Sequence, residues 1–234
     1  MSKHGKKYRE SAKRVTSAAI VPVKDALAKL KELAYAKFDE SVDVDINLGI
    51  DASQGEQVVR GSVLLPNQRG KVPKILVFAK GDYAEQAEKA GADFVGTDDL
   101  VEKIKGGWLD FDYAVATPDL MGLVGGLAKI LGPRGLLPNK KVGTVTFDVG
   151  AVVTDLKKGR AFFKNDKQGL VHFSFGKVSQ TAQQLHDNLS VFVRALAASK
   201  PVSSKGKFLK KMTISSTMGV GIQVNPDELL VRAL

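Results

Sequence analysis

Between Pro73 and Leu131 the sequence alternates three times between a short apolar run and a helical stretch. Ile75-Leu76-Val77-Phe78 precedes a Gly81-Asp82 start signal and a helix through Ala90. Asp93-Phe94-Val95 precedes Thr97-Asp98-Asp99, which reads as an N-cap with an acidic first turn. Tyr113-Ala114-Val115-Ala116 precedes Thr117-Pro118 and a helix ending near Leu131. Unbroken apolar strands separated by helices predict a small, parallel, doubly wound sheet. An irregular loop rich in glycine, proline and basic residues, Leu131 to Lys141, then leads through Val142 to Phe147 into a helix-like Val149 to Lys158.

The flanking segments follow another grammar. Val23, Leu27, Leu30 and Ala34 recur at helical spacing after Pro22, and Val42, Val44, Ile46, Leu48 and Ile50 alternate as a strand. Val58 to Leu65 predicts a second strand, closed by the turn-rich Pro66 to Gly70. On the far side, Ala161-Phe162-Phe163 and Leu170 to Phe175 flank Asn165 to Gly169, which predicts a hairpin with a long turn. Thr181 to Gln184 has capping-box spacing before an apolar face of Ala182, Leu185, Leu189, Val193 and Leu196. Met212, Ile214, Met218, Val220, Ile222 and Val224 then alternate with Lys211, Thr213, Ser215, Thr217, Gly219, Gly221 and Gln223. This predicts a half-buried strand whose outer face carries hydroxyls, glycines and an amide. The expected fold class is α/β with two domains. Residues 1–66 and 157–234 form an outer α+β domain, and residues 67–156 form an inserted Rossmann-like domain on linkers near Leu65 to Lys71 and Leu156 to Arg160.

Charge divides at the same places. The net +10 splits into +2 for residues 1–66 (11 basic, 9 acidic), −1 for 67–156 (11 and 12) and +9 for 157–234 (13 and 4). Basic flanks around a near-neutral insert favour a polyanion partner. Residues 1–14 read as a basic arm, with Lys3, Lys6, Lys7 and Arg9 suited to neutralising phosphates. With no cysteine and three scattered histidines, neither a disulfide framework nor a thiolate or histidine metal site is expected. No apolar run is long enough to span a bilayer and no signal-peptide pattern opens the chain, so a soluble protein that is not exported is expected.

A doubly wound insert raises the alternative of a nucleotide-dependent enzyme, but the phosphate-binding fingerprints are missing. Lys80-Gly81-Asp82 follows the first strand in place of a spaced glycine triplet, and no Gly-Lys-Ser/Thr ending occurs in the insert. Gly122, Gly125 and Gly126 fall inside a helical stretch, where close packing is expected. Asp98-Asp99 and Asp110 with Asp112 read as capping and loop residues in preference to paired catalytic carboxylates. Binding is better represented. Lys164, Lys167, Lys177 and the run Lys205, Lys207, Lys210 and Lys211 are expected to converge beside the hydroxyl strand, where hydroxyls and close backbone contact suit the RNA minor groove. No helix dense in Arg, Asn or Gln favours major-groove reading of DNA, which remains a third reading. Phe38, at a helix–strand junction, reads alone as a core residue.

Met1 to Tyr8, Lys37-Phe38-Asp39-Glu40, Val59-Arg60-Gly61, Ala90-Gly91-Ala92-Asp93, Leu131 to Asn139, Asn165-Asp166-Lys167 and Thr217-Met218-Gly219 resemble, in order, the bacterial ribosomal stalk protein L-one family. The resemblance implies a non-enzymatic, cytoplasmic ribosomal protein without a cofactor. It is expected to bind large-subunit rRNA at the mobile stalk, assist release of exit-site tRNA, meet other ribosomal components, repress its own mRNA and be monomeric off the ribosome. It also implies an RNA surface of Lys37, Phe38, Glu40, Ser41, Lys164, Asp166, Lys167, His172, Gly176, Lys177, Ser179, Ser215, Thr217, Met218 and Gly219, which moves Phe38 out of the core. On the same ground Met218 marks a turn between two strands. Lys140 stands where the family commonly has proline, and Ser215-Ser216 where threonines are frequent.

Overall fold

A computed structural model describes residues 5–15, 20–70 and 72–230. In chain order the elements are α1 (Lys6–Arg14), α2 (Val23–Leu33), β1 (Ser41–Leu48), β2 (Arg60–Leu64), β3 (Ile75–Phe78), α3 (Asp82–Lys89), β4 (Phe94–Gly96), α4 (Asp98–Lys105) and β5 (Tyr113–Ala116). They continue with α5 (Met121–Gly125), α6 (Ala128–Leu131), α7 (Val149–Lys158), β6 (Arg160–Lys164), β7 (Leu170–Lys177), α8 (Ala182–Ala198), β8 (Leu209–Ser216), β9 (Ile222–Val224) and α9 (Asp227–Leu230). The chain divides into two compact units, Met1–Gly70 with Phe162–Leu234, and Lys71–Ala161.

The first unit is built on an antiparallel sheet in the order β7-β1-β8-β9. Successive side chains of a strand point to opposite faces, and β1 follows this strictly. Val42, Val44, Ile46 and Leu48 are buried while Ser41, Asp43, Asp45 and Asn47 stay partly exposed. The apolar face packs under α2, through Val23, Ala26, Leu27 and Leu30, and under α8, through Leu185, Leu189, Phe192, Val193 and Leu196. Phe173 of β7 stacks on Phe192 at 4.0 Å between ring centroids. Each such fully buried side chain contributes about 1.5–3 kcal/mol. The capping box at the start of α8 is complete: Gln184 N donates to Thr181 Oγ1 and Thr181 N to Gln184 Oε1.

Three expectations for the flanking segments change. The hairpin of β6 with β7 does not form, because β6 pairs with β2 and β7 with β1, leaving one bridge between Asn165 and Val171. Asn165 anchors this divergence, since its backbone N donates to Val59 O and its Oδ1 accepts from Val59 N. The basic segment is helical over Lys6–Arg14, so Lys6, Lys7 and Arg9 lie on α1 and not on an open tail; Lys3 lies outside the described residues. The expected linker near Leu156 to Arg160 is no loop. α7 runs to Lys158, Gly159 closes it in the left-handed region (φ 113°), and β6 begins at once.

The second unit holds the parallel sheet β4-β3-β5, extended by a parallel bridge from Ala116 to Val145. All four residues of β3 are buried, as an interior parallel strand requires. Leu76, Phe78, Ile104, Phe111, Val124, Leu127 and Leu131 form the core beside it. Asp93 Oδ2 accepts from Ile75 N and from Lys157 Nζ, while Lys74 N donates to Asp112 and Lys74 Nζ to Asp110, so these carboxylates fasten the strand starts. The stretch after Thr117 breaks into a 3-10 turn, α5 and α6. Gly122 and Gly125 there are exposed with open space where a Cβ would stand, so the expected close packing is absent. Thr97 makes no side-chain cap to α4, its backbone lying outside the extended region a cap uses.

Candidate nucleic-acid interface

The antiparallel register decides which loops meet. Ser41, which opens β1, pairs with Lys177 at the end of β7, and Val42 pairs with Ser216 at the end of β8. One end of the sheet therefore gathers three connections: Ala34 to Glu40 after α2, Val178 to Gln180 before α8, and the Thr217–Gly219 turn after β8. The turn confirms the break in the alternating strand, since Gly219 N donates to Ser216 O and β9 starts only at Ile222. A Cβ on Gly219 would strike Ser216 Oγ, and one on Gly176 would strike Gln180 Oε1 and Leu185, so a side chain at either position requires those neighbours to move.

These connections are hydrogen-bonded to one another through named side chains. Thr217 N donates to Ser41 O at 3.1 Å, and Ser41 N donates to Thr217 Oγ1 at 3.0 Å. Glu40 is 2% exposed; its Oε1 accepts from Ala36 N at 2.9 Å and its Oε2 from Met218 N at 3.0 Å. Burial pushes the Glu40 carboxyl up, but the Ser216 hydroxyl and the N–H groups of Met218, Ala36 and Tyr35 outweigh it and hold its pKa below the usual value. Tyr35 Oη donates to Met218 O at 2.8 Å. Lys177 Nζ donates to Ser41 Oγ at 2.8 Å and to Asp39 O at 3.4 Å, and Asp39 accepts from Ser179 N and Oγ. Above this frame stand Phe38, 56% exposed, Met218, 50% exposed, and the exposed Lys37.

The outer face of the sheet continues from there. Asp43 lies between Ser174 and Ser215, Asp45 between His172 and Thr213, and Asn47 between Leu170 and Lys211. Burial first, and then the charge of Asp45, raises the Asp43 carboxyl against the opposing effects of Ser174 and Lys177. His172 Nδ1 lies 2.6 Å from Asp45 Oδ1. At the opposite end Asp166 Oδ1 accepts from Gln168 N and Leu170 N, chiefly the latter depressing its pKa, and holds the turn that exposes Lys167 beside Lys164.

At about 3.4 Å per residue, Ser41 and Asn47 are roughly 20 Å apart. The expected surface thus separates into two groups. Lys37, Phe38, Glu40, Ser41, Gly176, Lys177, Ser179, Ser215, Thr217, Met218 and Gly219 gather at or beside one end; Lys164, Asp166 and Lys167 stand at the other, with His172 between. The lysines before Met212 also lie at the far end, where Gly49 N donates to Phe208 O and Lys207 is paired with Asp227 at 2.7 Å. They do not converge beside the turn. Sequence reasoning missed Tyr35 and gave Asp39 a place in the Lys37–Glu40 match but no role, since an irregular loop has no periodicity to show which side chains fold back.

Among the described residues no group of His, Asp or Glu could hold a metal ion, and no helix is long and apolar enough to cross a membrane. A cavity of about 570 Å³ lined by Pro22, His186 and Glu228 lies at the N-terminal end of α2, away from the end that carries Phe38. The model of the ribosomal protein L1p/L10e family matches residues 30–220, from within α2 to just beyond Gly219. The chain belongs to that family. As a member of the L1p/L10e family it is a structural protein of the large ribosomal subunit that binds rRNA, located on the cytoplasmic ribosome, and not an enzyme. The nucleotide-enzyme reading of the insert ends there. The helix α1 precedes the matched span.

Proposed function

We infer that the rRNA contact is the sheet end that carries Phe38 and Met218. The observation that supports this most is the presence at one sheet end of two large apolar side chains, both about half exposed, on loops that Tyr35 and Glu40 tie together by hydrogen bonds. An exposed aromatic ring stacks on an unpaired base or packs on a ribose, and the surrounding hydroxyls suit the 2′-OH. Lys37 adds charge at this end, and Lys164 and Lys167 add it at the other. The domain formed by both termini is accordingly the RNA-binding one. On the family reading the protein also sits at the mobile stalk, assists release of deacylated tRNA from the exit site, represses its own operon mRNA and is a monomer when free.

Base–aromatic stacking contributes about 1–3 kcal/mol. Phe38→Ala should therefore weaken binding to deproteinised large-subunit rRNA by about 5- to 150-fold, and Met218→Ala should weaken it as well, with the thermal transition preserved. Wild-type affinity in both folded variants would move the contact elsewhere on the molecule.

A further inference from the structure

We propose that Tyr35 and Glu40 are positioning residues for RNA recognition, which grip the carbonyl and the amide of Met218 and so present its side chain and Phe38 in one fixed arrangement. This deepens the proposed function and rests on its placement of the rRNA contact. The two backbone polar groups of Met218 are both taken by side chains of the loop that carries Phe38: Met218 O by Tyr35 Oη at 2.8 Å, Met218 N by Glu40 Oε2 at 3.0 Å. Glu40 Oε1 returns to Ala36 N at 2.9 Å, so the carboxylate closes its own loop while it holds the turn. Tyr35 and Glu40 bracket Phe38 in sequence, and each ties its side of the loop to the same residue. A carboxylate facing RNA would repel phosphate; this one is buried and its oxygens are engaged within the protein.

The benefit is preorganisation. Binding weakens when side chains and loops must be ordered on association, and a scaffold that fixes them beforehand removes that cost. A residue acting in this way alters affinity only through the group it positions, which separates it from one that touches RNA itself.

The test is a cycle on the full-length protein with deproteinised large-subunit rRNA as probe. Tyr35→Phe keeps the ring and removes the hydroxyl that donates to Met218 O. Losing a hydrogen bond of ordinary strength, it should weaken binding about three- to tenfold, with an unchanged slope of affinity against salt because no charge is altered. Glu40→Gln, which keeps the shape but loses one acceptor, should weaken it similarly. In a background carrying both Phe38→Ala and Met218→Ala the Tyr35→Phe effect should shrink below about twofold, since both positioned side chains are gone. Full wild-type affinity of Tyr35→Phe beside a weakened Met218→Ala overturns the positioning role and leaves the rRNA contact standing. An equal loss in the wild-type and the doubly substituted background also overturns it, because Tyr35 then acts independently of Phe38 and Met218. If neither Phe38→Ala nor Met218→Ala changes binding, the contact and the positioning role fall together.

Discussion

Hydrogen bonds from three backbone N–H groups and the Ser216 hydroxyl hold the Glu40 carboxyl ionised against the burial that favours its neutral form. A carboxyl whose folded-state pKa lies below its ordinary value, near 4.5, stabilises the fold fully above that value and loses the contribution as pH falls through the folded pKa. Glu40→Gln should thus cost about 1–3 kcal/mol at pH 7, where a part-buried N–H loses its acceptor. The deficit should narrow in acid. Urea unfolding at pH 7 and at about pH 3.5 measures both, and an identical deficit at the two values would show that ionisation is not what matters. From the sequence alone Glu40 and Phe38 are neighbours in an irregular loop, and the resemblance counted both as RNA residues. The difference between them, one buried and one half exposed, arises from β8 ending beside β1, a contact between segments far apart in the chain.

Elements whose signals are local were legible. The side chains of Thr181 and Gln184, each bonded to the other residue's backbone N–H, marked the start of α8, and Thr181→Ala should cost about 1 kcal/mol. That corresponds to a drop of about 2–4 °C in Tm for a chain of this size, with RNA affinity at 25 °C unaltered; a loss of affinity without loss of stability would give Thr181 a direct contact. β3 was legible because an interior parallel strand is buried on both faces and reads as an unbroken apolar run. Strand partnership was not. Two strands joined by a turn-like segment look like a hairpin, but β7 offers Val171, Phe173 and Phe175 to the core under α8 and takes β1 as its neighbour, a choice made by tertiary packing. Alternation likewise continued past Ser216, because a tight turn preserves the parity of buried positions while reversing the chain.

Across the whole molecule the charge is carried by the flanking segments, +2 and +9, against −1 in residues 67–156. A plot of log affinity for rRNA against log salt should fall linearly, with a slope of about −0.7 to −0.9 for each phosphate neutralised. A flat plot would remove α1 and the exposed lysines from the account of binding. The order of strands has a further consequence, for synthesis. β1 is interior to its sheet, and both of its neighbours, β7 and β8, are encoded beyond the insert. At translation rates of about 5–20 residues per second, β1 waits on the order of ten seconds for its first partner. β3, β4 and β5 follow one another closely and can close first. The Met218 turn, which completes the clamp with Glu40, emerges after β8. A nascent chain that stops short of β8 therefore lacks the Met218 turn, and the RNA surface proposed above cannot be assembled on it.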